Sequence, residues 1–342
     1  MSPIFCFFIF FPAASSTLLN FDVSPFLSLF NGTTLQIIGF MNMYNNNTIE
    51  RLDSYMVPPS FDSTAGVNSK DVVVLPESGV AARLFVPINP ALPQGRKFPL
   101  VIYLHGGGFV TGSAFSPAYH NYVNSLAANA SVVALSVNYK ICPENPVPVP
   151  YLDSWSVVKW VAKHSKGLGN EAWLNDYVDF EKVYLAGDSA GANIAHNVAM
   201  LAGLEGLDGF KIAGMVLMSP YFWGTQPIGE HEPKDTILRN TIQTLWYVAT
   251  GMKIGVDHPW LNPILDPNLS KLGCTRVLVC ISERDWLRDR GEYYSMALGG
   301  SGWKGEVELY ETKGENHVFQ LTKPNTPNSQ ALLNEVSSFI NK

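Results

Sequence analysis

Short runs of β-branched and other apolar residues alternate with longer segments of helical periodicity from about residue 70 onward. This alternation is typical of a sheet whose strands are joined by helices. The apolar runs predict eight strands, at residues 71–75, 81–86, 99–104, 132–137, 182–186, 213–218, 276–282 and 306–311. The first two are separated only by a short turn, which predicts an antiparallel hairpin at one sheet edge. Crossover-length segments between the others predict parallel strands.

The helical periodicity predicts six helices, at residues 119–129, 151–164, 190–202, 235–250, 290–298 and 328–340. In the second of these, an apolar stripe is expected to face the core, formed by Leu152, Trp155, Val158, Trp160 and Val161. Strands and helices together predict an α/β fold, with a mixed, mostly parallel eight-stranded sheet flanked by helices.

Two regions do not follow the alternation. Residues 1–70 are rich in Asn, Ser, Pro and Phe, and residues 220–267 insert a long aromatic segment between two predicted strands. Extra segments of this kind usually cover a site. We therefore expect both to lie over whatever site the sheet carries.

Composition narrows the class of protein. The chain has 342 residues, of which 46% are hydrophobic and 15% charged, and its formal net charge is −6. These values are those of a globular protein, and the acidic balance without a basic stripe disfavours nucleic acid as a partner. The four cysteines are too sparse for a disulfide scaffold and lack the spacing of a zinc site, so we expect free thiols and no bound metal.

The apolar run at residues 4–11 raises the question of a membrane or export segment. It is too short to span a bilayer, and none of the first 15 residues is Lys or Arg, as a signal peptide would require. We therefore expect a cytoplasmic protein without stable membrane insertion. Secretion is the alternative if the run is a signal peptide.

The first motif with chemical meaning is Gly-Asp-Ser-Ala-Gly at residues 187–191, between a predicted strand and a predicted helix. A serine nucleophile at such a turn adopts a strained backbone, and small residues two positions before and after it avoid clashes. The helix that follows aims its N-terminal dipole at the serine. The placement indicates Ser189 as a nucleophile.

The second motif is His-Gly-Gly-Gly-Phe at residues 105–109, also at a strand end. Consecutive glycines let backbone N–H groups approach a ligand, as acyl-transfer enzymes require to hold the oxyanion of a tetrahedral intermediate. We expect Gly107 and Gly108 to donate hydrogen bonds there, together with the N–H of Ala190. Such an oxyanion hole needs no metal or organic cofactor to polarise the carbonyl.

A serine nucleophile needs a base and an acid. Of the seven histidines, His317 alone stands between the last predicted strand and the last predicted helix, where open α/β sheets place their chemistry. Three carboxylates follow the penultimate strand. We choose Asp285, because Glu283 stands too near the strand end and Asp289 has the pattern of a helix-start residue in an exposed ion pair.

Together these motifs resemble those of a plant carboxylesterase of the hormone-sensitive-lipase-like group, and the resemblance extends over about residues 20–341. Asn-Tyr-Lys-Ile-Cys-Pro-Glu at 138–144, Glu-Arg-Asp-Trp-Leu-Arg-Asp-Arg at 283–290 and Gly-Glu-Asn-His-Val-Phe at 314–319 contribute to it. The resemblance implies an α/β-hydrolase fold with a helical cap, the triad Ser189, Asp285 and His317, and oxyanion donors Gly107, Gly108 and Ala190. Residues 31–46 depart from the family pattern as an apparent insertion.

On this basis we predict an N-terminal extension and cap segment at 1–70 and an α/β-hydrolase catalytic domain at 71–342, with a cap insertion at 220–267. The expected function is hydrolysis of a small carboxylic ester by a monomer or homodimer. Five aromatic residues are the candidate lining of the substrate pocket, namely Phe26, Phe30, Phe222, Trp223 and Trp246.

Two other functions occur on the same fold in this group. Isoflavanone dehydratases carry threonine at the nucleophile, whereas position 189 is serine, and a cyclase-like eliminase is a related alternative. Hormone receptors of the group lack the catalytic histidine, whereas His317 is present. An esterase is therefore favoured over both, and more strongly over the receptor.

Overall fold

A computed structural model describes residues 9–10, 34–37, 40–44, 48–51, 55–60, 66–88, 95–234 and 236–342. These residues contain a four-stranded sheet and an eight-stranded sheet. The four-stranded sheet is antiparallel and consists of β1 (Ile9–Phe10), β2 (Thr34–Ile37), β3 (Met41–Tyr44) and β4 (Ile49–Arg51). The sequence pattern predicted none of these strands.

The large sheet contains all eight predicted strands. They are β5 (Val67–Leu75), β6 (Val80–Pro87), β7 (Phe98–Leu104), β8 (Val133–Asn138), β9 (Val178–Asp188), β10 (Ile212–Met218), β11 (Arg276–Ser282) and β12 (Glu306–Thr312). Their order is β12-β11-β10-β9-β7-β8-β6-β5. The β5–β6 hairpin forms one antiparallel edge, β6 also pairs antiparallel with β8, and the other neighbours are parallel. The predicted fold class is therefore confirmed.

The strand order brings the two glycine motifs together. Strands β7 and β9 are neighbours near the middle of the sheet, and Leu104 pairs with Gly187 in their shared register. Each motif begins at the carboxyl end of its strand. Because parallel strands end at the same edge of a sheet, both motifs face the same crevice.

All six predicted helices are present, with bounds that differ by a few residues. The described helices are α1 (Pro117–Ala130), α2 (Val149–Ser165), α3 (Ala172–Tyr177), α4 (Ala190–Glu205), α5 (Thr236–Thr250), α6 (Arg288–Gly300), α7 (Phe319–Thr322) and α8 (Pro327–Asn341). The short helices α3 and α7 were not predicted. On α2 the expected stripe is wrong at Leu152, which is 50% exposed, because Tyr151 takes the core-facing position beside Trp155.

The core forms two apolar layers, one on each face of the large sheet. Alternate residues of a strand point to opposite faces. Leu100 and Ile102 of β7 accordingly belong to one buried cluster, and Val101 and Tyr103 to the other. The sheet is thus covered on both sides, as a mostly parallel sheet requires.

The four-stranded sheet is attached to the loop that follows the His-Gly-Gly-Gly-Phe motif at 105–109. The Arg51 guanidinium donates hydrogen bonds to the carbonyl oxygens of Val110, at 2.7 Å, and Cys142, at 3.0 Å, and pairs with Glu144. Met41 of β3 is fully buried in the larger apolar cluster. Residues 40–44 and 48–51 therefore pack beside the crevice.

The predicted free thiols are observed at Cys142, Cys274 and Cys280, which are all buried, whereas Cys6 lies outside the described residues. No helix in the described ranges is long and apolar enough to cross a membrane. The domain boundaries proposed from the sequence stay predictions, and the large sheet itself begins at Val67.

Candidate active site

Ser189 occupies a strained turn between β9 and α4. Its backbone has φ 51° and ψ −118°, which few residues other than glycine adopt. A Cβ at Gly187 would lie 2.5 Å from the Gly191 backbone, and a Cβ at Gly191 would lie 2.0 Å from the Leu104 carbonyl oxygen. The strand and the helix can therefore approach one another only because both positions are glycine.

The three residues predicted as a triad lie within hydrogen-bonding distance of one another. His317 Nε2 is 2.9 Å from Ser189 Oγ, and His317 Nδ1 is 2.8 Å from Asp285 Oδ2. This pattern requires His317 to donate its Nδ1–H to the carboxylate and to accept the serine proton at Nε2. A serine, a base and an acid thus stand in the order that nucleophilic catalysis uses.

The loops that carry Asp285 and His317 are joined to each other by hydrogen bonds. The Arg284 N–H donates to the Glu315 carbonyl oxygen at 2.9 Å, and the Glu283 side chain accepts from the Gly314 N–H at 2.7 Å. Asp285 is 2% exposed, and its Oδ1 accepts from the Leu287 N–H at 2.9 Å. The carboxylate therefore holds a fixed orientation toward the imidazole.

Electrostatics favour the protonated form of His317. Its partial burial lowers its pKa, but the charge and hydrogen bond of Asp285, with a smaller contribution from Asp188, more than compensate. The pKa of His317 is therefore raised above its ordinary value. A histidine in this setting is stabilised as the imidazolium that forms when it takes a proton from serine.

Glu283 and Asp289, the other two carboxylates after β11, bind groups other than His317. Glu283 binds the Gly314 N–H, as described above, and lies beside Lys313. Asp289 is 5% exposed and pairs with Arg288 and His231, so the expectation of an exposed ion pair there is wrong. It is buried because the segment after β10 folds onto the start of α6, where the His231 N–H also donates to Asp289.

The glycine loop at 105–109 curls back beside Ser189. Gly107 and Gly108 have φ values of +100° and +60°, and a Cβ at Gly107 would lie 2.2 Å from the Thr111 carbonyl oxygen. Among the described residues, no group accepts a hydrogen bond from the N–H of Gly107 or Gly108. The N–H of Ala190 stands in the first turn of α4, where no intrahelical acceptor exists. All three predicted donors are thus available to a ligand.

His105 supports this loop from behind. Its ring is fully buried and stacks on Tyr139 with centroids 4.2 Å apart, and its Nδ1 is 2.9 Å from the Gly106 carbonyl oxygen. Burial lowers the pKa of His105 to about 4, so the ring is neutral at physiological pH. His105 is therefore a structural part of the loop.

Two residues that the sequence pattern did not single out lie against Gly108. A Cβ at Gly108 would be 3.0 Å from Leu245 Cδ2 and 3.2 Å from Phe40 Cε1. Leu245 belongs to α5 and Phe40 to the segment at the four-stranded sheet. The aromatic content of both regions suggested a cover, but only tertiary packing selects the side chains that reach the loop.

The predicted aromatic lining falls into two groups. Phe26 and Phe30 lie outside the described residues. The other three are buried. Phe222 packs against Tyr294 with ring centroids 4.7 Å apart, and Trp246 packs edge-on against Phe109. The guanidinium groups of Arg239 and Arg290 both lie over the Trp223 ring. Their contact with a substrate stays a prediction.

In the ranges that the structure describes, no group of three or more His, Cys, Asp or Glu residues could hold a metal ion.

A strained serine turn, a serine–histidine–aspartate arrangement and a free glycine loop at the carboxyl edge of a mostly parallel sheet define an α/β hydrolase. Residues 101–321 match the family described as the alpha/beta hydrolase fold, and the chain belongs to that family. The chain is 45% identical to "Probable carboxylesterase 7" of Arabidopsis thaliana over 302 residues, which are 88% of this chain and 96% of the relative.

Two further comparisons bear on the function. The chain is 40% identical to the 2-hydroxyisoflavanone dehydratase of Glycyrrhiza echinata over 311 residues, 88% of this chain and 94% of that protein. A solved esterase of Pyrobaculum calidifontis is 29% identical with a TM-score of 0.64, covering 80% of this chain and 84% of the esterase. The resemblance to plant carboxylesterases is thus confirmed.

Proposed function

We propose that this protein is a serine carboxylesterase that hydrolyses small carboxylic esters through an acyl-enzyme intermediate. The observation that carries the proposal is the 2.9 Å distance between Ser189 Oγ and His317 Nε2, with Asp285 2.8 Å from the other ring nitrogen. The carboxylesterase relative and the structurally similar esterase support it.

The first half of the reaction acylates Ser189. The Oγ attacks the ester carbonyl carbon while its proton passes to His317 Nε2, and the carbonyl oxygen becomes an oxyanion. The N–H groups of Gly107, Gly108 and Ala190 donate hydrogen bonds to that oxygen. The tetrahedral intermediate then collapses, the C–O bond to the alcohol breaks, and the alcohol leaves with the proton from His317.

The second half releases the acid. Water attacks the acyl carbon while His317 takes one of its protons, and a second oxyanion forms in the same place. Collapse breaks the bond between the acyl carbon and Ser189 Oγ, which regains its proton from His317. Asp285 keeps the His317 tautomer and stabilises the imidazolium in both halves without taking the proton.

Access and specificity belong to the segments that surround the glycine loop. We assign the cap to α5 with the rest of 220–267 and to the N-terminal segment, which is supported by the contacts of Leu245 and Phe40 with Gly108. Apolar side chains beside the oxyanion position suit a short apolar acyl group. Phe26, Phe30, Phe222, Trp223 and Trp246 remain the predicted aromatic wall.

Hydrolysis of p-nitrophenyl acetate by the purified protein tests the proposal. Ser189→Ala removes the nucleophile, so that only the oxyanion hole and substrate binding still accelerate the reaction. We expect the kcat of this variant to be on the order of 10³-fold or more below that of the parent. Ser125→Ala, at an exposed serine on α1, is the matched control and should match the parent. Undiminished turnover by Ser189→Ala would refute the esterase.

A dehydratase is the second candidate, favoured by the 40% identity to 2-hydroxyisoflavanone dehydratase. Elimination of water from a 2-hydroxyisoflavanone would use His317 as a base and leave Ser189 without an acyl-enzyme role. Two assays separate the candidates: rapid-quench mass spectrometry of the protein with p-nitrophenyl acetate, and product analysis with a 2-hydroxyisoflavanone. An adduct on Ser189 supports the esterase, and dehydration without an adduct supports the alternative.

The compartment and the oligomeric state are also part of the proposal. We place the protein in the cytoplasm, which is supported by three buried free cysteines, because disulfides are rare in that compartment. N-terminal sequencing of the natural protein would reveal cleavage of a signal peptide and so contradict this. Sedimentation velocity distinguishes the predicted monomer from the homodimer.

A further inference from the structure

Asp188 is a buried carboxylate that the hydrolysis described above leaves without a role. It precedes Ser189, is 1% exposed, and accepts hydrogen bonds from the Tyr103 hydroxyl, at 2.7 Å, and the Tyr119 hydroxyl, at 3.1 Å. Both donors are neutral, and no lysine or arginine of the described ranges pairs with it. A buried carboxylate without a cationic partner is costly, which makes it a candidate for function.

Asp188 is connected to the glycine loop through Tyr119. The Tyr119 hydroxyl gives its hydrogen to Asp188 and accepts the Gly106 N–H at 2.8 Å. A Cβ at Gly106 would lie only 2.4 Å from Asp188 Oδ2, so the carboxylate packs directly on the loop. The backbone of Gly106 is thus fixed one residue before the predicted oxyanion donors.

Asp188 is also connected to His317 through charge. Burial raises the pKa of Asp188 to about 6, while the two phenol hydrogen bonds and the nearby His317 oppose that rise. In return, the Asp188 charge adds to that of Asp285 in raising the pKa of His317. Among the residues that the structure describes, the phenols of Tyr122 and Tyr139 also interact with Asp188, and burial keeps both neutral.

We propose that Asp188 is a positioning residue of the esterase site, which holds the glycine loop through Tyr119 and stabilises with its charge the imidazolium of His317. This inference rests on the proposed function. It assigns two tasks to one side chain. Tyr119 provides a way to test the first, because its hydroxyl bonds to both Asp188 and the Gly106 N–H, whereas Tyr103 bonds to Asp188 alone.

Asp188→Asn keeps the shape of the side chain and removes the charge. The kcat and KM of this variant for p-nitrophenyl acetate are measured from about pH 5 to 9. Loss of a nearby negative charge lowers the pKa of His317, so we expect the acid limb of kcat/KM to move to lower pH by about half a unit or more. The plateau kcat should fall on the order of tenfold, with little change in KM.

Tyr119→Phe tests the loop. The assay is run at about pH 8.5, so that Asp188 stays ionised although it loses one hydrogen bond. The substitution also removes the phenol oxygen that accepts the buried Gly106 N–H. We expect a fall in kcat on the order of tenfold, and weaker binding of a boronic acid that mimics the tetrahedral intermediate, with KM almost unchanged. If KM rises by the same factor as the boronic acid affinity falls, the site is disrupted as a whole. That result would overturn the role of Asp188 and Tyr119 in holding the glycine loop.

Tyr103→Phe is the matched control for Tyr119→Phe. It is also a second test, beside Asp188→Asn, of the role of the Asp188 charge. It removes a hydrogen bond from the same carboxylate without touching Gly106, so the pKa of Asp188 rises. We expect kcat near that of the parent at about pH 8.5, where Asp188 is ionised in either protein, and a growing loss toward about pH 6.5. A loss that is equal at all pH values would overturn the charge assignment even if Asp188→Asn fails to fold.

The inference can fail independently of the esterase itself. One outcome is that Ser189→Ala abolishes turnover while the acid limb of kcat/KM lies at the same pH in Asp188→Asn as in the parent. The esterase function is then supported, and the role of the Asp188 charge is refuted. If Ser189→Ala keeps full turnover, the proposed function fails, and the inference fails with it.

Discussion

A Cβ on Gly191 would lie 2.0 Å from the carbonyl oxygen of Leu104, a separation no real Cβ can occupy. The first turn of α4 is therefore packed directly against the end of β7, and the obstacle is backbone that cannot rotate away. We predict that Gly191→Ala lowers the free energy of unfolding by about 3 kcal/mol or more and abolishes esterase activity, because Ser189 must move. Chemical denaturation and p-nitrophenyl acetate hydrolysis measure both effects.

Gly299→Ala on α6 is the control for Gly191→Ala. The nearest atom to a Cβ there is Val307 Cγ1 at 3.6 Å, an ordinary contact, and the residue lies within a helix. Alanine should stabilise the protein by about 0.5 to 1 kcal/mol and leave kcat unchanged. A Gly191→Ala protein as stable and active as Gly299→Ala would contradict the packing described here.

Asp285→Asn should lower kcat on the order of 10⁴-fold with little change in KM, because asparagine presents the wrong hydrogen-bonding pattern to His317 Nδ1. Steady-state kinetics with p-nitrophenyl acetate measure this. Glu283→Gln, two residues earlier, should keep kcat within about threefold of the parent, since its carboxylate accepts the Gly314 N–H and lies beside Lys313 rather than His317. The reverse ranking of the two variants would identify Glu283 as the acid.

The pH dependence of kcat/KM follows from His317. Its pKa is raised above 6.5, with the burial effect overcome by the interaction with Asp285. The base must be unprotonated to act, so activity should rise with pH and reach half of its plateau above pH 6.5. A profile from about pH 5 to 9, with the protein shown to stay folded at each value, provides the test. A half-maximum at or below pH 6.5 would contradict it.

Leu245→Ala should widen the space beside Gly108. The Leu245 side chain is 9% exposed and lies near the position of the oxyanion. We predict a several-fold gain in kcat/KM for p-nitrophenyl hexanoate relative to acetate, since one or two methylene groups in an apolar pocket change binding by about 1 to 3 kcal/mol. Leu152→Ala, at a 50% exposed position on α2, should leave the hexanoate-to-acetate ratio unchanged. An unchanged ratio in Leu245→Ala would remove this residue from the pocket wall.

Glu232 forms a buried ion pair that holds the insertion to α6. It is 2% exposed and binds the Arg290 guanidinium through both oxygens, each at 2.9 Å, as well as Arg239. Removal of one partner from such a cluster leaves charges uncompensated, so Glu232→Gln should cost about 3 kcal/mol of unfolding free energy by urea denaturation. Asp208→Asn, in the exposed pair with Lys166, should cause no measurable change.

The sequence predicted the large sheet well because its strands are buried on both faces and read as continuous apolar runs. The site residues were predicted for a related reason. In an open α/β sheet the chain order and the strand ends together decide where Ser189, Asp285 and His317 stand. Their hydrogen bonds depend on these local positions and on the register of neighbouring strands.

Other features depend on contacts that no local pattern encodes. The strands of the four-stranded sheet are two to four residues long, too short for a periodicity, and Arg51 attaches them to distant carbonyl groups. Asp289 has the sequence pattern of an exposed helix start, but the chain near His231 covers it. Leu152 and Leu245 illustrate the same limit, because packing alone decides which apolar side chain faces solvent and which faces the glycine loop.

The order of the active-site residues along the chain has a consequence for biosynthesis. Ser189 and His317 are 128 residues apart, and His317 follows β12, the last strand of the large sheet in chain order. A nascent polypeptide therefore contains the proposed nucleophile and the glycine loop long before it contains His317, the proposed base. If the proposed triad is correct, ester hydrolysis requires β12 and the loop after it, so activity should appear only late in translation.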